Sequence, residues 1–453
     1  MRTTDIHIRE VAYSTEFFRY RTPIKFGGQT LDRVTLLNAA VTVESPAGRR
    51  ATGRGSMPLG NVWAYPTSHM SYEQTLAAMC GVADRVAEIY SGCTLRGHPF
   101  EITWQVEPDF FAAAADLSAK HADLPPIPRL ATLVAASPFD AALHDAYGKL
   151  HGVSAYQTYG ADFWDDDLGR LLGEDFRGEH VSHHVLSHPV ESLPLYHLVG
   201  ALDPLADDDL EQPVGDGLPE TLGQWIAYSG LTHLKIKLNG DDLRWDVERV
   251  LAVERVAVVA QARRNVTDWH YSLDFNEKCR SVDYLLQFLA QVRAAAPRAY
   301  TRIAYIEQPT ARDLTAHHQN RMHAASAQIP VVIDESLLDL ESLLFAREMG
   351  YTGIALKACK GQTQSIVLAC AARQLGLFLC VQDLTCPGAS LIHSAGLAAH
   401  VRGVTAIEAN SRQYCPAANA DWIDRFPGIF DPHDGRVQTH QLIGPGLSAY
   451  PSE

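Results

Sequence analysis

From residue 221 onward, short apolar runs alternate with longer stretches of helical periodicity. The runs are LTHLKIKLNG (231–240), HYSLDF (270–275), IAYIEQP (303–309), IPVVIDES (329–336), GIALKACKG (353–361), LFLCVQD (377–383) and VTAIEAN (404–410). Between them, apolar residues recur at helical spacing, as at Leu243, Val247, Val250, Leu251 and Val258. The same spacing recurs in VDYLLQFLAQV, ESLLFAREMG, SIVLACAARQLG and LIHSAGLAAHV, with a polar helix expected ahead of residue 329. Strands that are apolar on both faces and joined by helices predict a parallel sheet covered on both sides. With LPLYHLVG (193–200) there are eight such strands. That number favours an α/β fold of the (β/α)8 type, a modified TIM barrel, over an open doubly wound sheet.

The first 130 residues have a different texture. TLLNAAVTVESPAG (35–48) predicts a strand and turn, residues 72–90 predict a helix, and residues 22–29 and 53–66 read as Gly/Pro-bearing loops. SPFDAALHDAYGKLHG (137–152) predicts a helix capped by Ser137, with Pro138 at its first position and Gly152 at its end. This gives an α+β capping domain over 1–135, a barrel over 136–415, and a C-terminal segment, 416–453, that packs back on the capping domain. Residues 162–188 fit no element and read as an insertion, and the acidic loop after residue 200 reads as solvated.

One strand breaks its own pattern. In LTHLKIKLNG, Leu234, Ile236 and Leu238 share one parity while Lys235 and Lys237 share the other, so both ammonium groups point the same way. Alone, the pair suggests an exposed edge, because lysine is seldom buried without a partner.

Composition narrows the field modestly. The chain has 453 residues, with 38 basic against 53 acidic, a net charge of -15. That balance disfavours a nucleic-acid or anionic-membrane surface and suits acidic metal ligands. The eight cysteines form no C-x-x-C pair and read as free buried thiols of a reducing compartment. The N-terminus does not have the pattern of a signal peptide, and no window approaches the roughly 20 apolar residues of a membrane span. A cytoplasmic protein is expected.

In a barrel, chemistry gathers at the C-terminal ends of the strands. Those ends carry Lys237, Asp274 with Asn276, Glu307, Asp334, Lys357 and Asp383. Three carboxylates on consecutive strands, Asp274, Glu307 and Asp334, do not easily share the mouth of one barrel as neighbours without a cation. Oxygen-only ligands favour Mg2+, with Mn2+ as a substitute. Lys235 and Lys237 precede these strands and Lys357 follows them, so the lysines flank the ion. A divalent cation stabilises the enediolate formed when a proton leaves the carbon beside a carboxylate. A lysine base needs a lowered pKa, which the second lysine and the ion are expected to supply. Lys235 is then an electrostatic partner of Lys237, or a direct contact of the substrate carboxylate. Glu335, of opposite parity to Asp334, reaches a lysine only if the strand end twists.

The ordered set K-x-K (235, 237), D-x-N (274, 276), E-Q-P (307–309), D-E-S (334–336) and KACKG (357–361) resembles the enolase superfamily, in particular its muconate lactonizing enzyme branch within the mandelate racemase/muconate lactonizing enzyme group. DAALHDAYGKLHG is similar to that family's entry helix. The resemblance implies two loops of the capping domain that close over the site, here 22–29 and 53–66, and a homo-oligomer. Mandelate racemase and sugar-acid dehydratase branches carry histidine where this chain has Lys357.

The expected function is therefore Mg2+-dependent α-proton abstraction from a small-molecule carboxylate, with Lys237 and Lys357 on opposite faces, as in a racemase, epimerase or cycloisomerase. Asp383, Glu408, Asn276 and Glu335 are candidates for substrate or supporting contacts. A dehydratase of hydroxy or sugar acids uses the same scaffold. Two rivals are a metal-free aldolase with Lys357 as Schiff-base nucleophile and a non-catalytic metal-binding relative.

Overall fold

The computed structural model describes residues 2–26 and 29–451. Strands β1 (His7–Phe26), β2 (Gln29–Glu44) and β3 (Arg50–Pro58) form an antiparallel sheet in that order. The segments read as loops are largely regular: residues 22–26 end β1, residues 53–58 lie in β3, and Asn61–Ala64 is a helical turn. Gly27 and Gly28 lie outside the described residues. Glycine is a poor strand former, but here close packing decides. Gly53 and Gly55 meet the backbone of helix Arg129–His151, where an added Cβ would sit 2.0 Å from the carbonyl oxygens of Ala142 and Pro138.

That helix begins at Arg129, so Ser137 and Pro138 lie inside it and do not start it. Pro138 has no N–H for the carbonyl of Val134, and Ser137 Oγ donates to that oxygen instead, at 2.9 Å. Gly152 does end the helix, with a φ of 71°.

Strands β4 (Ser192–Val199), β5 (His233–Lys237), β6 (His270–Asp274), β7 (Ile303–Glu307), β8 (Val331–Ile333), β9 (Gly353–Leu356), β10 (Phe378–Val381) and β11 (Ile407–Glu408) pair in sequence, all parallel, and β11 pairs with β4 to close the barrel. A last strand, β12 (Arg436–Gln438), runs antiparallel beside β4. The expected polar helix shrinks to His323–Ser326. The run 353–361 is strand only as far as Leu356, after which Ala358–Lys360 form a 3-10 turn.

Inside the barrel, Tyr196, Tyr305, Val332, Ala355, Cys380 and Ala406 form one packed layer. Above it, Asp140 ties three elements together. It accepts from Thr363 N at 2.7 Å and from Thr363 Oγ1 and Thr103 Oγ1, each at 2.8 Å. This joins helix Pro99–Ala119 to helix Gln362–Gln374, which follows the Lys357 turn.

The stretch 162–188 contains short helical turns, Gly169–Leu172 and Val181–His184, and beyond them Leu186 N donates to His400 O at 2.7 Å. Near the C-terminus, Leu447 N donates to Asp145 Oδ1 at 2.8 Å. All eight cysteines are free, with Cys80 and Cys93 only partly buried. No described helix is long and apolar enough to cross a membrane.

Candidate active site

The inner layer sets the parity of the strand ends. Two residues beyond Tyr305, Val332, Ala355, Cys380 and Ala406 come Glu307, Asp334, Lys357, Gln382 and Glu408, which therefore rise from the barrel interior toward its C-terminal mouth. Lys235 and Lys237 do the same on β5. Both are buried, with 1% and 4% exposure, so the exposed-edge reading of this pair does not apply.

Lys235 is the hub. Its Nζ donates to Gln382 Oε1 at 2.6 Å and Glu408 Oε2 at 2.9 Å, and lies 2.7 Å from Glu307 Oε2 and 3.1 Å from Asp274 Oδ2. Lys237 Nζ donates to the same Asp274 oxygen. Asp274 Oδ1 accepts from Asn276 N at 2.8 Å; Asn276 lies past the strand end with a φ of 46°.

Across the mouth, Lys357 Nζ lies 2.7 Å from Asp334 Oδ2 and 4.4 Å from the centre of the Trp63 ring. Lys360 Nζ reaches Asp334 Oδ1 at 3.2 Å. Trp63 Nε1 donates to Glu335 Oε1 at 2.8 Å, so Glu335 meets a capping-segment indole and not a lysine. Arg312 Nη2 donates to Trp63 O at 3.0 Å, and its Nε to Glu277 Oε2 at 2.7 Å.

Asp383 has the off-register parity and faces backbone. Its Oδ1 accepts from Leu384 N and Cys386 N, and its Oδ2 from Asn410 N at 2.9 Å. Sequence reasoning passed over Gln382, Trp63, Arg312 and Lys360. Gln382 was recoverable from strand parity, and Lys360 stands in the KACKG motif itself. Trp63 and Arg312 carry no local signal, because their roles arise from contacts between distant segments.

The electrostatics are governed by burial and by crowding of like charge. Burial, together with the Asp274 charge, pushes the Glu307 carboxyl up to about 8. Burial and Asp334 likewise raise Glu335 well above the usual range, and burial with Glu408 brings Asp383 to about 6. Asp274 and Asp334 go the other way: burial alone would raise them, but lysines 237 and 235 outweigh it for Asp274, and lysines 357 and 360 for Asp334. At Lys235 and Lys357 two opposed influences meet. Burial does favour the neutral amine, but the surrounding carboxylates outweigh it and hold Lys235 and Lys357 above their ordinary value.

This site suits a hard divalent cation by its chemistry. Four buried carboxylates (Asp274, Glu307, Asp334, Glu408) converge on four buried ammonium groups (Lys235, Lys237, Lys357, Lys360), so acidic oxygens are gathered with a matching number of cations. Glu307 Oε2 and Asp334 Oδ2 are buried and accept no hydrogen bond of good geometry, although each has a lysine at 2.7 Å. Oxygen-only donors of this kind match Mg2+. Among the described residues, no three Asp, Glu, His or Cys side chains are already gathered at metal-binding separation; lysine ammonium groups bridge these carboxylates.

Fold and site together define a (β/α)8 barrel capped by an N-terminal antiparallel sheet, with lysines and carboxylates at the strand ends. Residues 218–453 match the profile described as enolase C-terminal domain-like. The chain belongs to that family, in the mandelate racemase/muconate lactonizing enzyme branch of the enolase superfamily. No curated protein matches it. Among solved structures, it is similar to an L-Ala-D/L-Glu epimerase from Bacillus subtilis, with 15% identity, coverage of 99% of both chains and a TM-score of 0.63. It is also similar to a 2-chloromuconate cycloisomerase from Rhodococcus opacus, with 15% identity over 99% of this chain and 97% of the other and a TM-score of 0.62. An N-succinyl Arg/Lys racemase from Bacillus cereus shares 15% identity over 99% and 95%, with a TM-score of 0.60. At this identity the likeness establishes the fold.

Proposed function

We propose that the chain is an enzyme that removes the α-proton of a small-molecule carboxylate through an enediolate, in a Mg2+-dependent reaction that Mn2+ also supports. The proposed outcome is racemisation or epimerisation, or else cycloisomerisation. One observation carries this reading. In the closed eight-stranded barrel, β5 with Lys237 and β9, which leads into Lys357, are four strands apart and so diametrically opposed, while Asp274, Glu307 and Asp334 end the three strands between them.

Lys237 and Lys357 then reach opposite faces of a substrate carbon held between them, one removing a proton and the other returning it. Asp274, Glu307 and Asp334 would hold the metal, which when bound supplies positive charge to the two oxygens of the developing enediolate. Carboxylates committed to a cation hold Lys235 and Lys357 less firmly as ammonium, which is the direction that proton abstraction requires. Lys235 fixes Glu408 and Gln382 at the rear of the site. Asp383 secures the loop after β10, and Glu335 anchors Trp63. The epimerase, racemase and cycloisomerase names of the structural relatives support this class of chemistry without naming a substrate.

The test is incubation in D2O with Mg2+ and a panel of amino, hydroxy and N-acyl acids, following α-proton exchange by NMR. Exchange that needs Mg2+ and disappears in the Lys237→Ala/Lys357→Ala double variant is expected. Exchange that persists in that variant overturns the two-base reading, and activity that survives chelation with a carbonyl substrate trapped by borohydride identifies the aldolase instead.

A further inference from the structure

A second cavity, of about 540 Å3, lies outside the lysine–carboxylate cluster and shares no residue with it. It is enclosed by the start of helix Leu222–Ser229, the end of β4, the acidic loop after residue 200 and the β1 residues Arg21–Pro23. Its size is that of a small-molecule site. The loop is built and not merely solvated. Arg21 Nε and Nη2 clasp Asp216 at 2.6 and 2.8 Å, Asp209 Oδ2 accepts from Leu205 N and Ala206 N, and Glu220 accepts from Val214 N and Gly215 N.

Two side chains in its wall are buried beyond nine-tenths and incompletely bonded. His197, 4% exposed, makes no hydrogen bond through either ring nitrogen, and its ring lies 5.3 Å from that of Trp225, centre to centre. Burial, with Arg412 nearby, pushes its imidazole down to about 3, so it is neutral. Gln413, 6% exposed, donates through Nε2 to Leu198 O, Asp203 Oδ2 and Tyr414 OH, while its Oε1 has no partner. A polar group kept from water without a partner is costly, and an unbonded imidazole in a cavity wall marks where a ligand or water would bond.

The charges at the wall identify the kind of ligand. Asp203, Asp209, Glu211 and Glu220 line the cavity against a single cation, Arg21, whose guanidinium is already spent on Asp216, Leu218 O and Pro219 O. Arg412, stacked on Trp225, is held by Asp431 at 2.8 Å. Trp225, Leu222 and Leu210 supply an apolar wall. We propose that this cavity binds a small organic cation, a primary ammonium carrying an apolar body, with the ammonium toward the unbonded His197 ring and the acidic loop and the body against Trp225. The site is separate from the proposed reaction centre and stands whether or not that reading holds.

The probe is 2-phenylethylammonium, titrated into the full chain carrying labelled histidine, with the ring signals of His197 and the Trp225 fluorescence as readouts. Saturable one-to-one binding that shifts the His197 signals is expected, with 3-phenylpropan-1-ol and 3-phenylpropanoate failing to compete. Leu202→Trp, at a position 50% exposed on the cavity rim, fills the space and should abolish binding while leaving the near-UV circular dichroism of a folded protein. Glu211→Gln, at an exposed loop position, should weaken binding by about tenfold, the scale of one lost charge-assisted contact. The Lys237→Ala/Lys357→Ala variant should bind as the parent does. Binding that is absent, unaffected by Leu202→Trp, equal for the neutral alcohol, or lost in the lysine double variant overturns the proposal.

Discussion

On one side of the barrel mouth, every hydrogen bond and ion pair of Lys235 is made to another barrel residue: Gln382, Glu408, Glu307 and Asp274. On the other, Lys357 is bounded by Asp334 from the barrel and by the face of Trp63 from the N-terminal segment. The first arrangement is fixed as soon as the barrel closes. The second is completed only when residues 59–66 are seated, and it is further braced by Arg312 through the Trp63 carbonyl. Lys235 is thus positioned by strand register and Lys357 by docking of residues 59–66 as well, so a perturbation of that segment should be felt more by Lys357 than by Lys235.

The largest expected effect removes both walls together. Chelation of divalent cations, or Glu307→Gln on the strand midway between them, should lower α-proton exchange by about 10^3-fold or more, as loss of the main charge stabilisation does. For the chelated protein, restoration by added Mg2+ is the check, read by NMR. Next, Lys237→Ala and Lys357→Ala should each lower exchange by about 10^2- to 10^4-fold, the range of a lost general base. Each should do so for one enantiomer, and equal losses from both single variants would remove the distinction between faces.

A smaller change sharpens the contrast. Trp63→Leu withdraws the ring from Lys357 and the N–H from Glu335, and should cost the Lys357 face about tenfold, the scale of a buried cation–π contact. The Lys237 face should change far less, and a matched loss on both would show that Trp63 acts on the whole site.

The smallest effect is on stability behind the Lys357 wall. Glu107 accepts from Gln364 Nε2 at 2.6 Å, and burial pushes its carboxyl up to about 7. Because the folded value lies above the unfolded one, the stabilising contribution is complete below the ordinary carboxylate range and is lost as pH rises through about 7. Thermal unfolding from pH 5 to 8 should show a decline of order 1 kcal/mol that Glu107→Gln removes.

Most of the barrel was legible because its strands are apolar on both faces and its helices keep their period. The metal-ligand and lysine candidates were legible too, since a charge in such a strand has no ordinary reason to be there. Parity was the unused signal. Cys380 faces the interior, so Gln382, and not Asp383, reaches Lys235, and the carboxylate of Asp383 is taken up by backbone amides. The start of helix Arg129–His151 was misread because Ser-Pro is a strong local start signal that a side-chain bond to Val134 O neutralised. The expectation of a lowered lysine pKa rested on the second lysine and the ion together, while at Lys235 and Lys357 the converging carboxylates favour the ammonium form. Trp63 was beyond reach, since nothing between residues 53 and 66 announces a contact with residues 335 and 357.

Gly53 and Gly55 leave no clearance between β3 and the helix that leads toward the barrel. With no side chain to act as a bearing, the sheet cannot slide or roll over that helix without backbone collision, so it serves as a chassis and not as a door. Uncovering Lys357 would then fall to the short segment beyond β3 that carries Trp63, with the sheet beneath it held still.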